Sequence, residues 1–108
     1  MMQANYKFFG APVVIYLCMD RALTPWSVFD LGSLSQSIML AAKDNGLDTA
    51  VAVMLVAYPD LIRAHLEIPD DLSIIIGMAL GSNDPNNPGN RFRSPRRSLS
   101  EVVHLKGF

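Results

Sequence analysis

Four guanidinium groups fall within seven residues near the end of the chain: Arg91, Arg93, Arg96 and Arg97. Guanidinium binds phosphate and carboxylate through charged, bidentate hydrogen bonds, so a cluster of this kind is chemistry for an anion. Alternate residues of an extended segment point apart, so the four need not share one ligand. The plain alternative is a solvated basic tail. Other reactive side chains are scattered. Cys18 stands alone inside an apolar run with no basic neighbour to activate it, and reads as a buried structural thiol. His65 reads as an inward-facing residue of a short helix, and His104 lies in the tail; no Cys or Asp cluster joins them at metal-ligand spacing. Asp70 and Asp71 precede a strand and suit a cap or an ion pair.

The bulk composition bounds what the cluster can serve. The 108 residues suit one domain, residues 1–108, half of them apolar and 18% charged. A net charge of -1, with Phe92 the one aromatic among the arginines, argues against nucleic acid. The longest apolar run, Ala50 to Ala57, is far short of the ~20 residues that span a bilayer. With a single cysteine and no signal-peptide pattern, a cytoplasmic protein away from membranes is expected.

The elements that must position the arginines read as follows. Pro12 to Met19 is an unbroken β-forming apolar run and predicts a strand. Thr24 followed by Pro25 predicts a helix start, with Gly46 as the stop. Leu31, Leu34, Ile38 and Ala41 share a bulky face of that helix, and Gly32, Ser35 and Ala42 a stripe of small side chains. Leu47 to Val56 predicts a second strand, Pro59 to Glu67 a short helix, and Leu72 to Leu80 a third strand ending at Gly81. Residues 82–98 form a polar loop and the basic segment. Residues 99–108 form a tail arm, helical for a turn at Leu99 to Val103. Pattern alone allows a small three-stranded parallel α/β sheet, since it cannot set strand direction.

Three segments carry a resemblance. Phe29-Asp30-Leu31-Gly32-Ser33-Leu34-Ser35-Gln36-Ser37-Ile38-Met39-Leu40-Ala41-Ala42, with Asn45-Gly46-Leu47, resembles the long central helix of the nitroreductase family. Gly77-Met78-Ala79-Leu80-Gly81 resembles that family's last core strand. Arg96-Arg97-Ser98-Leu99-Ser100-Glu101-Val102-Val103-His104 is similar to its C-terminal signature. The resemblance implies the C-terminal half of an α+β fold: a mixed, mostly antiparallel sheet flanked by helices. It also implies a homodimer with FMN at the subunit interface, oxidising NAD(P)H and reducing a nitroaromatic or quinone-like acceptor. In that frame Arg96 grips the FMN phosphate, with Arg93 and Arg97 as second choices. The backbone of Ala52, Val53, Met54 and Leu55 faces the flavin ring, where N–H donors steady the reduced form. Trp26 and Phe29, which open the long helix, read first as core or interface packing and second as the lining of a flat acceptor pocket at the dimer interface. The family's N-terminal half carries an arginine-rich motif with no counterpart in Met1 to Gly10. A second expectation is therefore a truncated or split module that dimerises without catalysis.

Overall fold

The computed structural model describes residues 2–107; Phe108, the end of the expected tail arm, lies outside them. In chain order the elements are helix α1 (Met2–Tyr6), strand β1 (Val13–Asp20), helix α2 (Ser27–Asp44), strand β2 (Asp48–Ala52), helix α3 (Pro59–Leu66), strand β3 (Leu72–Gly81) and helix α4 (Leu99–Val102). Short 3-10 turns at Phe8–Gly10, Val53–Val56 and Pro88–Arg91 punctuate them. The sheet order is β1-β3-β2, and both pairings are antiparallel. The fold is therefore α+β with an incomplete antiparallel sheet, and the parallel alternative is overturned. β1 and β2 run in the same direction with β3 between them, and α2 crosses over to join them.

β3 occupies the centre because it is the most apolar strand: its Gly77, Met78 and Ala79 are the buried stretch. Met78 is fully enclosed, and Leu17, Leu55 and Ala79 complete the buried apolar set among the described residues. Burying a leucine or methionine side chain stabilises by about 1.5–3 kcal/mol.

The helix α2 differs from expectation at its start and in the face it buries. Thr24 does not cap it through its hydroxyl. Instead the carbonyls of Thr24, Pro25 and Trp26 accept from Ser27, Val28 and Phe29 at 3.0–3.1 Å, a tight entry turn before the α-helix proper. The buried face centres on Ser35, flanked by half-buried Leu31, Ile38, Met39 and Ala42. Leu34 and Ala41, expected beside Leu31 and Ile38, are exposed. Of the expected small-residue stripe, Ser35 and Ala42 lie on the covered face and Gly32 is exposed. The end follows expectation: Gly46 sits at φ 73°, Leu47 N–H donates to Ala42 at 2.9 Å, and Gly46 N–H donates to Lys43 at 3.1 Å. That pair of bonds closes the helix on a left-handed residue.

The second strand is shorter than Leu47 to Val56. After Ala52 the chain turns back through Val53–Val56, and Leu55 tucks against the sheet. Gly77 is the reason: a Cβ there would lie 2.5 Å from the Leu55 Cβ. The missing side chain leaves the space Leu55 fills. His65 also departs from expectation, since it is exposed and Ile62 and Arg63 form the covered face of α3.

Replacing Gly77 with alanine should therefore overpack this contact and cost about 1–3 kcal/mol of stability. Urea denaturation of G77A against the parent checks it; an unchanged midpoint would show that Leu55 moves freely.

Candidate functional site

Ala52 to Leu55 stand where a strand becomes a turn. Ala52 is half-buried at the strand end, Val53 is 73% exposed, and the Leu55 side chain belongs to the core. The first N–H groups of a helical turn have no partner within it. This stretch can offer backbone donors and an apolar surface, but no reactive side chain.

Met54 and Leu55 line a cleft of about 190 Å³ together with Tyr6, Phe8, Tyr16 and Tyr58. The Tyr6 and Tyr58 rings lie 6.1 Å apart, tilted by 38°. The hydrogen bond that the Tyr6 hydroxyl donates to Tyr58, and then the charge of Tyr58, hold that hydroxyl above the ordinary phenol value. Burial raises Tyr16. The N-terminal residues that build this cleft carried no expectation from sequence. Phe8 and Phe9 sit at φ 51° and 58°, a conformation that side chains of this kind rarely adopt and that no pattern announces.

A larger cleft of about 620 Å³ opens between the Phe8–Gly10 turn, the start of β2, the end of β3 and the Asn-rich loop after it. Asp48, Asn83, Asp84, Asn87 and Asn90 supply its carboxylate and amide side chains, and Thr49 and Ser82 its hydroxyls. Asp84 and Asn87 fold the loop upon itself: Asn86 N–H donates to Asp84 Oδ1 at 2.9 Å, Gly89 N–H to Asn87 Oδ1 at 2.9 Å, and Asn90 Nδ2 to the Asp84 carbonyl at 2.8 Å. At the rim Lys43 Nζ meets Asp48 Oδ1 at 2.8 Å. That bond and charge, with a backbone bond from Asn83, hold the Asp48 carboxyl below its usual range.

The basic segment is exposed throughout. Arg93 Nη1 donates to the carbonyls of Asn90 at 2.7 Å and Phe92 at 2.9 Å. Arg96 Nη1 donates to the Ser94 carbonyl at 3.1 Å and to its hydroxyl. These bonds are local and leave the remaining guanidinium donors of both residues facing outward. The segment ends at α4, where the Glu101 carboxylate accepts from the Ser98 N–H at 2.8 Å and the Ser98 hydroxyl at 2.6 Å. Those two bonds lower the Glu101 pKa. The helical turn expected at Leu99 is present, and the tail residues through Gly107 are exposed.

Within one copy the expected site residues do not converge. None of Arg93, Arg96, Arg97, Trp26 and Phe29 lines either cleft. Trp26 and Phe29 project from the start of α2 at 84% and 79% exposure. Cys18 is half-buried in β1 and His104 is exposed. Among the described residues no group of His, Cys, Asp and Glu is placed to hold a metal ion, and no helix is long and apolar enough to cross a membrane.

Arg63 is the residue that the sequence reading missed. Its side chain is 17% exposed, and its guanidinium donates to the carbonyls of Ile68 at 3.2 Å, Pro69, and Leu72 at 2.7 Å. Asp70 sits 4.0 Å from its Nε. Arg63 thereby ties α3 to the loop that enters β3. A lone arginine on a short helix, followed by Pro69-Asp70-Asp71, is the signal that could have found it.

A helix-crossed antiparallel sheet, an unpartnered apolar surface and an outward basic arm define part of a larger α+β domain rather than a self-sufficient one. The chain belongs to the nitroreductase family, whose profile matches residues 2–82. It is 36% identical over 104 residues to a 4-nitrobenzoate reductase of Pseudomonas putida, covering 96% of this chain and 46% of that protein. It is 37% identical over 102 residues to a nitrobenzene nitroreductase of Ectopseudomonas oleovorans, covering 94% and 45%. The chain thus spans about half the length of the curated relatives it matches. Among solved structures, it matches an FMN-dependent nitroreductase NfnB of Mycobacterium smegmatis, in complex with NADPH, with a TM-score of 0.90, 28% identity, and coverage of 95% of this chain and 46% of that one. An FMN and NADPH-dependent NfnB from sphigopyxis sp. strain HMH gives a TM-score of 0.92 at 36% identity, covering 99% and 48%.

Two outcomes follow from the geometry. Arg63→Met should lose about 1.5–3 kcal/mol, and Arg63→Lys, which keeps charge but not the fork, should fall between; thermal denaturation reads both. The depressed Asp48 and Glu101 carboxyls contribute stability that is present above their ordinary range and lost as pH falls through their lowered values. Melting temperature should therefore drop from about pH 4 downward, and Lys43→Met should flatten part of that acid slope. An identical slope in K43M would remove Asp48 from the account.

Proposed function

We propose that this chain is the C-terminal half of an FMN-dependent, NAD(P)H-oxidising oxidoreductase of nitroreductase type. Its acceptor is a nitroaromatic or quinone-like compound, and it works as a homodimer in the cytoplasm. The observation that carries this reading is the family match over residues 2–82, joined to backbone similarity with FMN- and NADPH-dependent enzymes over nearly the whole chain.

The residues present fit the cofactor by donor chemistry. Arg96 keeps free guanidinium donors on an exposed segment, as a phosphate dianion requires, with Arg93 and Arg97 beside it. Ala52, Val53, Met54 and Leu55 offer backbone N–H groups and an apolar surface to a flat ring. When bound, FMN supplies the redox chemistry, taking hydride from NAD(P)H and passing electrons to the acceptor. The chain's own part is grip, orientation and exclusion of water. Arg96 anchors the phosphate end. The turn after β2 orients the ring. Trp26 and Phe29, exposed at the head of α2, stack against the acceptor where a second copy closes over them. No side chain is assigned as acid or base.

A second reading has its own support. The arginines and the turn share no cleft within one copy, and the chain is about half the length of its relatives. This favours a module that dimerises without completing an FMN site. Refolding with excess FMN separates the two. A yellow dimer that oxidises NAD(P)H supports the enzyme, and a colourless, inactive dimer supports the module. In the yellow protein Arg96→Ala should weaken FMN binding by about tenfold to a hundredfold, the worth of one charge-assisted contact. Flavin fluorescence titration measures it, and an unchanged Kd would move the phosphate away from Arg96.

A further inference from the structure

The two phenylalanines before β1 serve different clefts. Phe8 and Phe9 stand in succession at φ 51° and 58°, which large side chains take only at a cost. Phe8 lines the smaller cleft and Phe9, 46% exposed, the larger one. Besides Phe9, the apolar lining of the larger cleft is alanine, glycine and Pro12, residues that bring little bulk. Its polar lining offers donors and acceptors together. The bonds that fold the Asn-rich loop use one side-chain atom each of Asp84, Asn87 and Asn90. The second Asp84 oxygen, the Asn87 amide N–H groups and the Asn90 amide oxygen are left over. The Asn83 amide and the hydroxyls of Thr49 and Ser82 have no hydrogen-bond partner among the described residues.

Charge narrows the ligand. Asp48 and Asp84 line the cleft, no Lys, Arg or His lines it with them, and Lys43 at the rim is held by Asp48. Phosphate and carboxylate are therefore repelled. Among the described residues no group of His, Cys, Asp and Glu is placed for a metal ion. A wholly apolar ligand would take water from the amides and hydroxyls without pairing them. A neutral ligand rich in hydroxyls meets both demands. Each O–H donates to a carboxylate or amide oxygen and accepts from an amide N–H. A sugar ring also presents polarised C–H bonds, which suit the electron-rich face of Phe9. A volume of about 620 Å³ lies within the range of small-molecule sites, about 300–1,000 Å³.

We infer that this cleft binds a neutral sugar, with its hydroxyls on Asn83, Asp84, Asn87 and Asn90 and its ring against Phe9. The sugar comes free or as the ribose of a nucleoside, and the two share this chemistry. The cleft opens at the Asp48 end of β2, where Asp48 pairs with Gly81. The turn assigned to the flavin ring follows Ala52, which pairs with Gly77. Four residues of strand, about 13 Å, lie between the two ends. The inference rests on the cleft alone and not on the flavin reading.

The test titrates the isotope-labelled full chain, without FMN, with D-glucose, D-ribose, adenosine and adenine, and follows its amide resonances. The expected result is a saturable shift of the lining glycines Gly10, Gly81 and Gly89, with a Kd on the order of 1 mM, as a few uncharged hydrogen bonds in an open cleft give. Binding of D-glucose or D-ribose points to a free sugar; binding of adenosine with adenine silent points to a nucleoside. Asn83→Ala removes a side chain that bonds nothing in the fold and should raise the Kd about fivefold. Phe9→Gly removes the ring and relieves the positive φ, so it should weaken binding without lowering the melting temperature. No saturable shift with any of the sugars or adenosine overturns the inference. So do shifts that spare the three glycines, adenine binding as tightly as adenosine, glucose 6-phosphate binding more tightly than D-glucose, or parent-like Kd values in both N83A and F9G.

Discussion

Half of this chain is apolar, yet Leu17, Leu55, Met78 and Ala79 are the apolar residues it buries among those described. That imbalance governs the rest of the structure. Three strands and α2 can enclose one thin layer, centred on Met78. Side chains such as Trp26, Phe29, Leu40, Leu61 and Phe92 remain more than 60% exposed. The radius of gyration is 16.9 Å, against about 13 Å for a compact domain of this length. Apolar surface left in water costs free energy in proportion to its area, and exposure on this scale is unusual for a self-contained domain.

Within that layer one contact sets the local geometry. Gly77 lacks a side chain, Leu55 occupies the space, and the chain must turn after Ala52 to bring Leu55 there. The same turn opens the backbone of Val53 and Met54 and feeds α3. Arg63 then locks α3 to the loop before β3, whose central residues include Gly77. The path from Gly77 through Leu55 and Arg63 back to β3 is closed by direct contacts. Packing and backbone exposure are here one property.

Much of this was legible in the residues. β1, β3 and α3 stand within one or two positions of where apolar runs, Pro59 and Gly81 put them, because burial on two faces and proline chemistry are local signals. The Gly46 stop was legible for the same reason, since a left-handed residue after a helix is a demand on one position. The β2 boundary was not. Residues Ala50 to Ala57 are uniformly apolar, and the instruction to turn lies in Gly77, distant in sequence. Nor was the buried face of α2, since two stripes compete in the sequence and the covered one runs through Ser35 rather than Leu34. Antiparallel direction came from resemblance to a family; periodicity is blind to it.

The candidate site was legible in chemistry and not in assembly. The arginine cluster announces an anion, and its guanidinium groups do stand free of the core. But the candidate residues share no cleft: Met54 and Leu55 line one, and none of Arg93, Arg96, Arg97, Trp26 and Phe29 lines it or the larger one. An exposed arm whose hydrogen bonds go to its own neighbours has no packing to fix its place. Local order at Ser98 and Glu101 gives it a rigid joint but no anchor. Precise grip on a phosphate needs the donors held by a supporting shell, and this chain supplies donors without that shell. The thin core and the dispersal of the candidate residues go together: the same three strands and one long helix that enclose only Leu17, Leu55, Met78 and Ala79 also leave Arg93, Arg96, Arg97, Trp26 and Phe29 outside both clefts.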